Sequence, residues 1–480
     1  MNRPIPRHRT ALNRAHISRP VRLAMESELI NPDSTLLDFG CGKGDDVRFL
    51  KKFGVKCVGW DPFYFPDIKT KPSDVVNLGF VINVIEDPSE RIEAINKAWG
   101  FTRKVLIVSA RHSLEKKDEG LVQFKDGYLN GKRTFQKYYS QHELKSWIDE
   151  SLSEASFAAA PGIFYVFRDE EVKQSFIASH YRRRSSAPRQ RISDILFEKN
   201  KVLLEPFMDF LSSRGRIPET LEVKNGRGII KEFGSLKRAF GVIKRVTGSE
   251  QWEKIKEERY QDLLVYLALV RFDGRPRLSQ LSEDIKLDVR AFCSNYKRAC
   301  ELADELLFSA GDLATIDKAC REAVVGKLTP TALYVHISAI PYLPPILRIY
   351  EGCAQGYTGK VEGANIIKLN RNKPQISYLM YPRFEKDPHP ALKGSVIVPL
   401  NDPRIKYRDY TQSENPFILH RKEEFIFHDH PLKQKFKKLT HQEERRGLLE
   451  NSSVIGTQNG WAQELEIKGL KLSGHRLTKM

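Results

Sequence analysis

The stretch Leu36–Leu50, LLDFGCGKGDDVRFL, limits what this chain can fold into more than any other. An apolar run ends in an acid, Asp38; Gly40, Gly42 and Gly44 follow at alternate positions; a helical pattern starts at Asp45. Glycines admit backbone angles closed to other residues and let a ligand approach the main chain. A strand that turns straight into a helix belongs to a crossover unit, and crossovers join parallel strands. The flanking sequence agrees. STLLDFG, VKCVGWD and KVLIVSAR have the short apolar form of buried parallel strands, and DVVNLGFVINVI is a further apolar run ahead of a helix with Ile92, Ile95 and Trp99 on one face. SQHELKSWIDESL opens with Ser140 and carries Glu143 three residues on, the spacing of a capping box, and GIFYVFRD closes the unit as a late strand. Residues 20–170 are expected to form a doubly wound, Rossmann-like α/β domain.

The glycine spacing narrows the ligand. A dinucleotide fingerprint, G-x-G-x-x-G, places its third glycine one position later than this chain does. The form here, G-x-G-x-G with an acid two residues before the first glycine, resembles motif I of class I S-adenosylmethionine-dependent methyltransferases. A sulfonium cofactor has no pyrophosphate to set on a helix N-terminus; its amino-acid ammonium can be received near Asp38 and the loop carbonyls. Asp61, in VGWDP about 20 residues beyond the loop, stands where a carboxylate accepts hydrogen bonds from both ribose hydroxyls. The expected cofactor residues are Asp38, Gly40, Cys41, Gly42, Gly44, Asp61 and Asn77. Cys41 is expected to fill space between glycines rather than act as a nucleophile. Asp45 and Asp46 suit the positive end of the following helix.

The acceptor side is less defined. The D/N-P-P-Y/F segment of DNA amino-methyltransferases is missing from DVVNLGFVINVIEDP, and no Pro-Cys dipeptide supplies a cytosine-C5 nucleophile. INVIED looks more like the VLEH-type segment of small-molecule and RNA methyltransferases, which makes Asn83 and Glu86 the catalytic candidates; capping of the helix near Pro88 is an equal explanation for Glu86. Methyl transfer asks mainly for in-line positioning and at most one base. His112 and Tyr139 are weaker candidates for that base.

Beyond residue 175 the pattern changes. A chain of 480 residues calls for several cores, and the expected division is 1–175 with a basic N-terminal arm, a helical basic region over 190–325, and an α+β unit over 330–480. The first boundary, YRRRSSAPRQR, clusters Arg182, Arg183, Arg184, Arg189 and Arg191. In the middle, Arg216 and the run FGSLKRAFGVIKRV look like small DNA-contacting helix-turn-helix repeats, with Ser235 as N-cap and Lys237, Arg238, Lys244 and Arg245 facing phosphate. A formal net charge of +18 favours polyanionic partners. NIIKLNR, QISYLMYP, SVIVPL and RIKYRDY have strand composition, and the last forty residues return to helical spacing. Six cysteines without a CxxC, and no run of the ~18 apolar residues a membrane span needs, fit a cytoplasmic protein. His428 and His430 lack further ligands nearby, so no metal is expected.

Several long segments are together similar to one family. RHRTALNRAHISRPVRLAMESELI, LLDFGCGKGDD, GWDPFY, NIIKLNRNKPQISYLMYPRFEKDPHPAL, YRDYTQSENPFILHRKEEF and QEERRGLLE resemble the DNA phosphorothioation-associated methyltransferases. The resemblance implies a bacterial enzyme that uses S-adenosylmethionine, encoded beside systems that exchange a DNA phosphate oxygen for sulfur. It implies DNA and the phosphorothioation proteins as partners, and leaves the acceptor open. The alternatives are a DNA-binding accessory protein with a cofactor-sensing or vestigial pocket, and methylation of RNA or a small molecule.

Overall fold

The computed structural model describes residues 5–116, 120–183 and 195–480. Arg184, Arg189 and Arg191 of the expected basic boundary lie outside them. The first sheet has six strands: β1 (Thr35–Phe39), β2 (Lys56–Trp60), β3 (Ser73–Gly79), β4 (Thr102–Ser109), β8 (Ser156–Ala160) and β9 (Ile163–Phe167), in the order β2-β1-β3-β4-β9-β8. Between β4 and β8, a small three-stranded sheet forms from β5 (Val122–Phe124), β6 (Gly127–Leu129) and β7 (Phe135–Gln136). The first four strands of the large sheet pair in parallel, as the crossover pattern predicts. The last two do not: β9 runs antiparallel to both β4 and β8. Only the tight turn at Gly162, with a φ of 75°, separates β8 from β9, too short a link for a crossover.

Helices α1 (Arg19–Glu26), α2 (Asp45–Lys52), α3 (Pro88–Gly100), α4 (Gln141–Leu152) and α5 (Glu170–Tyr181) cover this sheet. The Ser140–Glu143 capping box is formed reciprocally at the start of α4. The apolar run 74–85 is not one strand, because β3 stops at Gly79 and Phe80 turns the chain with a φ of 60°.

The helical middle is α6 (Ile195–Lys199), α7 (Lys201–Arg214), α8 (Gly226–Phe233), α9 (Leu236–Thr247), α10 (Glu250–Leu269), α11 (Glu283–Phe292), α12 (Tyr296–Ser309) and α13 (Leu313–Glu322). It serves two cores rather than one. Phe207, Ile229, Ile243, Trp252 and Ile255 close a small core around α6–α9 and the start of α10. The end of α10, Leu263 to Leu269, joins a larger core that also holds Val21, Tyr165, Phe176, Tyr350 and Ile376.

The second large sheet is an antiparallel meander, β10 (Lys327–Leu328), β11 (Ala332–His336), β12 (Ile366–Asn370), β13 (Gln375–Met380), β14 (Gly394–Pro399) and β15 (Lys406–Asp409), in chain order. A helix not expected from the sequence, α14 (Pro345–Thr358), lies between it and the first sheet. Gly359, just past α14, meets the backbone of Ala159 and Ala160 so closely that a Cβ there would clash at 2.3 Å. Three helices, α15 (Lys433–Arg445), α16 (Ser452–Ile455) and α17 (Gln458–Ile467), lead to a final antiparallel hairpin of β16 (Leu470–Leu472) and β17 (Leu477–Lys479).

At the described end of the basic boundary, Arg183 points inward to the buried Asp262 (3.2 Å), which also receives Arg259 (2.9 Å) and Arg348 (2.7 Å). No helix of the described residues is long and apolar enough to cross a membrane.

Candidate active site

A parallel sheet whose strand order reverses leaves an opening at the carboxyl ends of its central strands. Here it lies above β1, β2 and β3 and holds a cavity of about 750 Å³. The glycine turn forms its floor. The amides of Gly40 and Cys41 both donate to the Trp60 carbonyl, 2.8 and 3.0 Å away, which locks the turn to the end of β2. Gly40 has a φ of 85°, and a Cβ there would sit 2.4 Å from Val81. Glycine is required at that position for angle and space alike.

Asp61 lines the cavity opposite the turn. One of its oxygens accepts from the Gly42 amide (3.0 Å); the other accepts from Phe63 (2.9 Å) and Tyr64 (3.0 Å). Two carboxylate oxygens offer about four acceptor sites, so capacity remains for a ligand hydroxyl. Asp38 lies beneath the turn, 4 % exposed, and accepts from Asn77 Nδ2 at 2.8 Å. Burial, then the neighbouring Asp46 carboxylate, push its acid up to about 7 against that hydrogen bond. The other end of the Asn77 amide, Oδ1, is buried with no hydrogen-bond partner among the described residues. Cys41 borders the cavity, and its thiol is held far above the usual range by burial and by Asp38 and Asp61, which excludes a thiolate role.

The two residues of the expected catalytic pair stand in different surroundings. Asn83 lines the cavity, is 2 % exposed, and keeps its Oδ1 without a hydrogen-bond partner among the described residues. Glu86 also lines it, but Arg7 Nε donates to its carboxylate at 2.8 Å. Burial pushes Glu86 up, yet the hydrogen bond and charge of Arg7 outweigh it and leave the acid below its ordinary value. That makes Glu86 a poorer base than the sequence implies. Its neighbour Asp87, rather than Glu86, caps α3 by accepting from Ser89 and Glu90. His112 and Tyr139 are 5 % and 1 % exposed and pair through their backbones behind β4, away from the cavity. Burial lowers His112 to about 4, so it stays neutral.

The feature the sequence pattern missed is the roof. Residues 5–18 lie across the cavity and are tied down at several points. Arg7 spans Glu86 and Glu90, His8 stacks on Phe63 at 4.1 Å, and Tyr64 donates to the His8 carbonyl. The Arg14 and Ser18 amides donate to Asp45 (2.6 Å) and Asp46 (2.7 Å). The two acids expected to complement the helix dipole therefore anchor the arm. Phe80, held in its left-handed turn, has the Arg14 and Arg111 guanidinium groups each 5.9 Å from its ring. Arg14 has no ion pair among the described residues.

The expected nucleic-acid residues do not share one surface. Arg216 is 7 % exposed and inside the fold, where Asp288 (2.6 Å) and Glu222 (2.7 Å) consume its guanidinium; a DNA contact by Arg216 is ruled out by that burial. Ser235 caps α9 by accepting from the Arg238 amide. Lys237, Arg238 and Arg245 are exposed on α9, and Lys244 is paired with Glu253 at 2.9 Å.

Residues 8–151 match the family model described as a methyltransferase domain, and the chain carries such a domain there. No curated protein matches the sequence. Among solved structures, the chain is similar to Burkholderia thailandensis 1,6-didemethyltoxoflavin-N1-methyltransferase with bound 1,6-didemethyltoxoflavin and S-adenosylhomocysteine. The identity is 12 %, over 31 % of this chain and 73 % of that one, with a TM-score of 0.24. It is also similar to the sugar N-methyltransferase KedS8 from Streptoalloteichus, at 12 % identity over 31 % of this chain and 84 % of that one, TM-score 0.23. A third likeness is to S-adenosylmethionine-bound CalS10, an amino pentose methyltransferase from Micromonospora echinaspora, at 16 % identity over 31 % and 89 %, TM-score 0.21.

Proposed function

We propose that the cavity above β1–β3 binds S-adenosylmethionine and that the domain methylates DNA, or a substrate held by DNA-modification machinery. One observation carries the cofactor assignment: a glycine turn with no room for a Cβ at Gly40 faces a carboxylate with acceptor capacity to spare, above the buried Asp38, which is hydrogen-bonded to the neutral Asn77 amide. The cofactor supplies an electrophilic methyl group on a sulfonium sulfur. Asp61 would hold the ribose hydroxyls, and Asp38, with Asn77 fixing its orientation, would balance the amino-acid ammonium. Asn83 would accept a hydrogen bond from an N–H of the methyl acceptor, and so orient its lone pair. Glu86 would act through Arg7, keeping the arm closed over the site and water out.

The acceptor assignment rests on charge and on the family that the long sequence segments resemble. Arg14 and Arg111 at the cavity suit an anionic substrate, and the formal net charge of +18 suits a polyanion. A roofed cavity admits an extruded base or a strand end rather than an intact duplex. The same roof favours a second reading, a small acceptor enclosed whole, because pockets of roughly 300–1,000 Å³ are those that bury small ligands.

Transfer of tritiated methyl from S-adenosylmethionine to phosphorothioated DNA, plain DNA, transfer RNA and a small-molecule extract tests both. Label in either DNA supports the first reading. Label confined to the extract supports the second. Calorimetry that detects no S-adenosylmethionine binding would remove the cofactor assignment itself.

A further inference from the structure

The C-terminal unit gathers a second group of chemistry-bearing side chains, remote from the cavity. His389 lies in the loop between β13 and β14, His420 in the segment after β15, and Glu443 near the end of α15. One ligand atom from each comes within 4.8 Å of the others. The His389 and Glu443 side chains are 5 % and 1 % exposed, and His420 is 8 % exposed. Trp461 on α17 packs on both rings at 4.6 and 4.7 Å.

The hydrogen bonds fix which atoms are free. His389 Nδ1 lies 3.1 Å from the Leu419 carbonyl, and His420 Nε2 lies 2.7 Å from the Ile455 carbonyl. A carbonyl only accepts, so each ring donates an N–H there, and a neutral ring presents a lone pair at its other nitrogen. Among the described residues, that nitrogen of His420, Nδ1, has no hydrogen-bond partner, and neither has the Glu443 oxygen Oε2. At His389, Nε2 faces Glu443 Oε1 at 2.7 Å, a contact that needs a proton or another cation between the two atoms. A proton between Nε2 and Oε1 answers one contact and leaves the other two atoms buried and unmet, which costs about 1–3 kcal/mol for each. The Lys422 ammonium is spent on the Phe384 and Asp387 carbonyls.

We propose that His389, His420 and Glu443 form a binding site for one divalent transition-metal ion of the zinc class. Two imidazoles and a carboxylate are a recurrent zinc ligand set, and ring N–H groups donated to backbone carbonyls are the orienting contacts that such histidines use. Zinc–ligand distances of ~2.0–2.1 Å in a tetrahedron imply edges of about 3.3 Å, which small side-chain rotations reach from the present spacing. The fourth position is left for water. The ion would add a joint among three segments already linked by hydrogen bonds and by the Arg421–Glu444 ion pair, so its binding is expected to stabilise the unit. The sequence motif HDHP is not part of it: the His430 ring accepts from the Leu432 amide and packs against His336 instead.

The test uses the full chain, prepared without a histidine tag, loaded with Zn²⁺ and passed through gel filtration before metal analysis. The expected result is about one zinc per chain, with a melting temperature that rises on loading and falls with chelator. Co²⁺ loading should give visible d–d absorption in the wild type and not in Glu443→Gln. Zinc content should fall at least tenfold in Glu443→Gln and His420→Ala and stay unchanged in the His428→Ala/His430→Ala double variant. Wild-type protein holding under about a tenth of an equivalent would overturn the proposal, leaving a His389–Glu443 ion pair. So would a folded Glu443→Gln variant that keeps the wild-type metal content. Neither result bears on the methyltransferase assignment.

Discussion

Asp38 on the first six-stranded sheet and Glu351 on the helix packed against the second are both buried acids raised to about 7, and the two are placed for opposite ends. Asp38 closes β1 beneath the glycine turn, with the Asn77 amide as its partner and the cavity above. Glu351 is on α14, sealed against the second sheet, with the Tyr378 hydroxyl donating at 2.9 Å. Burial is the first cause of both shifts. What differs is access. A ligand cation can reach the surroundings of Asp38 through the opening that parallel strands leave at their carboxyl ends; the antiparallel meander and α14 leave no such approach to Glu351. A raised carboxyl acid beside an opening is a binding feature, whereas the same acid in a closed core is a cost of packing.

The largest expected effect separates the opening from the core outright. Asp61→Ala removes the acceptor for the cofactor hydroxyls and frees the amides of Gly42, Phe63 and Tyr64. S-adenosylmethionine affinity is expected to fall on the order of 100-fold, while Glu351→Gln leaves it unchanged; calorimetry measures both. Equal losses in the two variants would break the distinction.

The next tests the two acids by pH. For a carboxyl acid raised on folding, the stability is fully present below the unfolded value, near 3.8 for Asp38 and 4.5 for Glu351. It is lost as pH rises through about 7. Unliganded protein should therefore lose stability between about pH 4 and 7, and Asp38→Asn and Glu351→Gln should each restore on the order of 1–2 kcal/mol at pH 8 in thermal melts. Only Asp38→Asn should also weaken the cofactor, by about tenfold, because the ammonium loses its counter-charge.

These residues show what the sequence made visible. Asp38, the glycines and Asp61 stand within one strand–turn–helix–strand unit, so local spacing exposes them. The four parallel strands and the capping box at Ser140 were legible for the same reason. Roles set by distant partners were not. Arg216 sits in a basic stretch, and nothing local announces Asp288, 72 residues on, that draws it inside. Glu86 looks like a base until Arg7, 79 residues earlier, is placed on it. The arm itself has no strong periodicity, because backbone amides and single ion pairs hold it rather than an apolar face. His389, His420 and Glu443 come from a loop, an irregular segment and a helix, with no motif spacing to join them.

The arm gives a smaller effect. Arg7→Ala removes its bonds to Glu86 and Glu90 and leaves the floor of the cavity untouched. Cofactor dissociation should quicken about fivefold in stopped-flow measurements, since the roof opens more often, with the association rate changing less. An unchanged dissociation rate would show that His8, Tyr64, Asp45 and Asp46 hold the roof alone.

The smallest effect concerns the helical middle, where the same contrast between exposed and enclosed charge recurs. Lys237 and Arg238 occupy the first turn of α9, where the helix terminus adds its own positive end to theirs. If this turn meets phosphate, Lys237→Ala/Arg238→Ala should lower duplex affinity about threefold and reduce the salt slope by roughly two, with no change in cofactor binding. Arg216 cannot contribute, being neutralised by Asp288 and Glu222. A salt slope that survives the double substitution would move DNA contact away from α9 and toward Arg14 and Arg111 at the cavity. In that case the polyanion would be read by the catalytic domain itself.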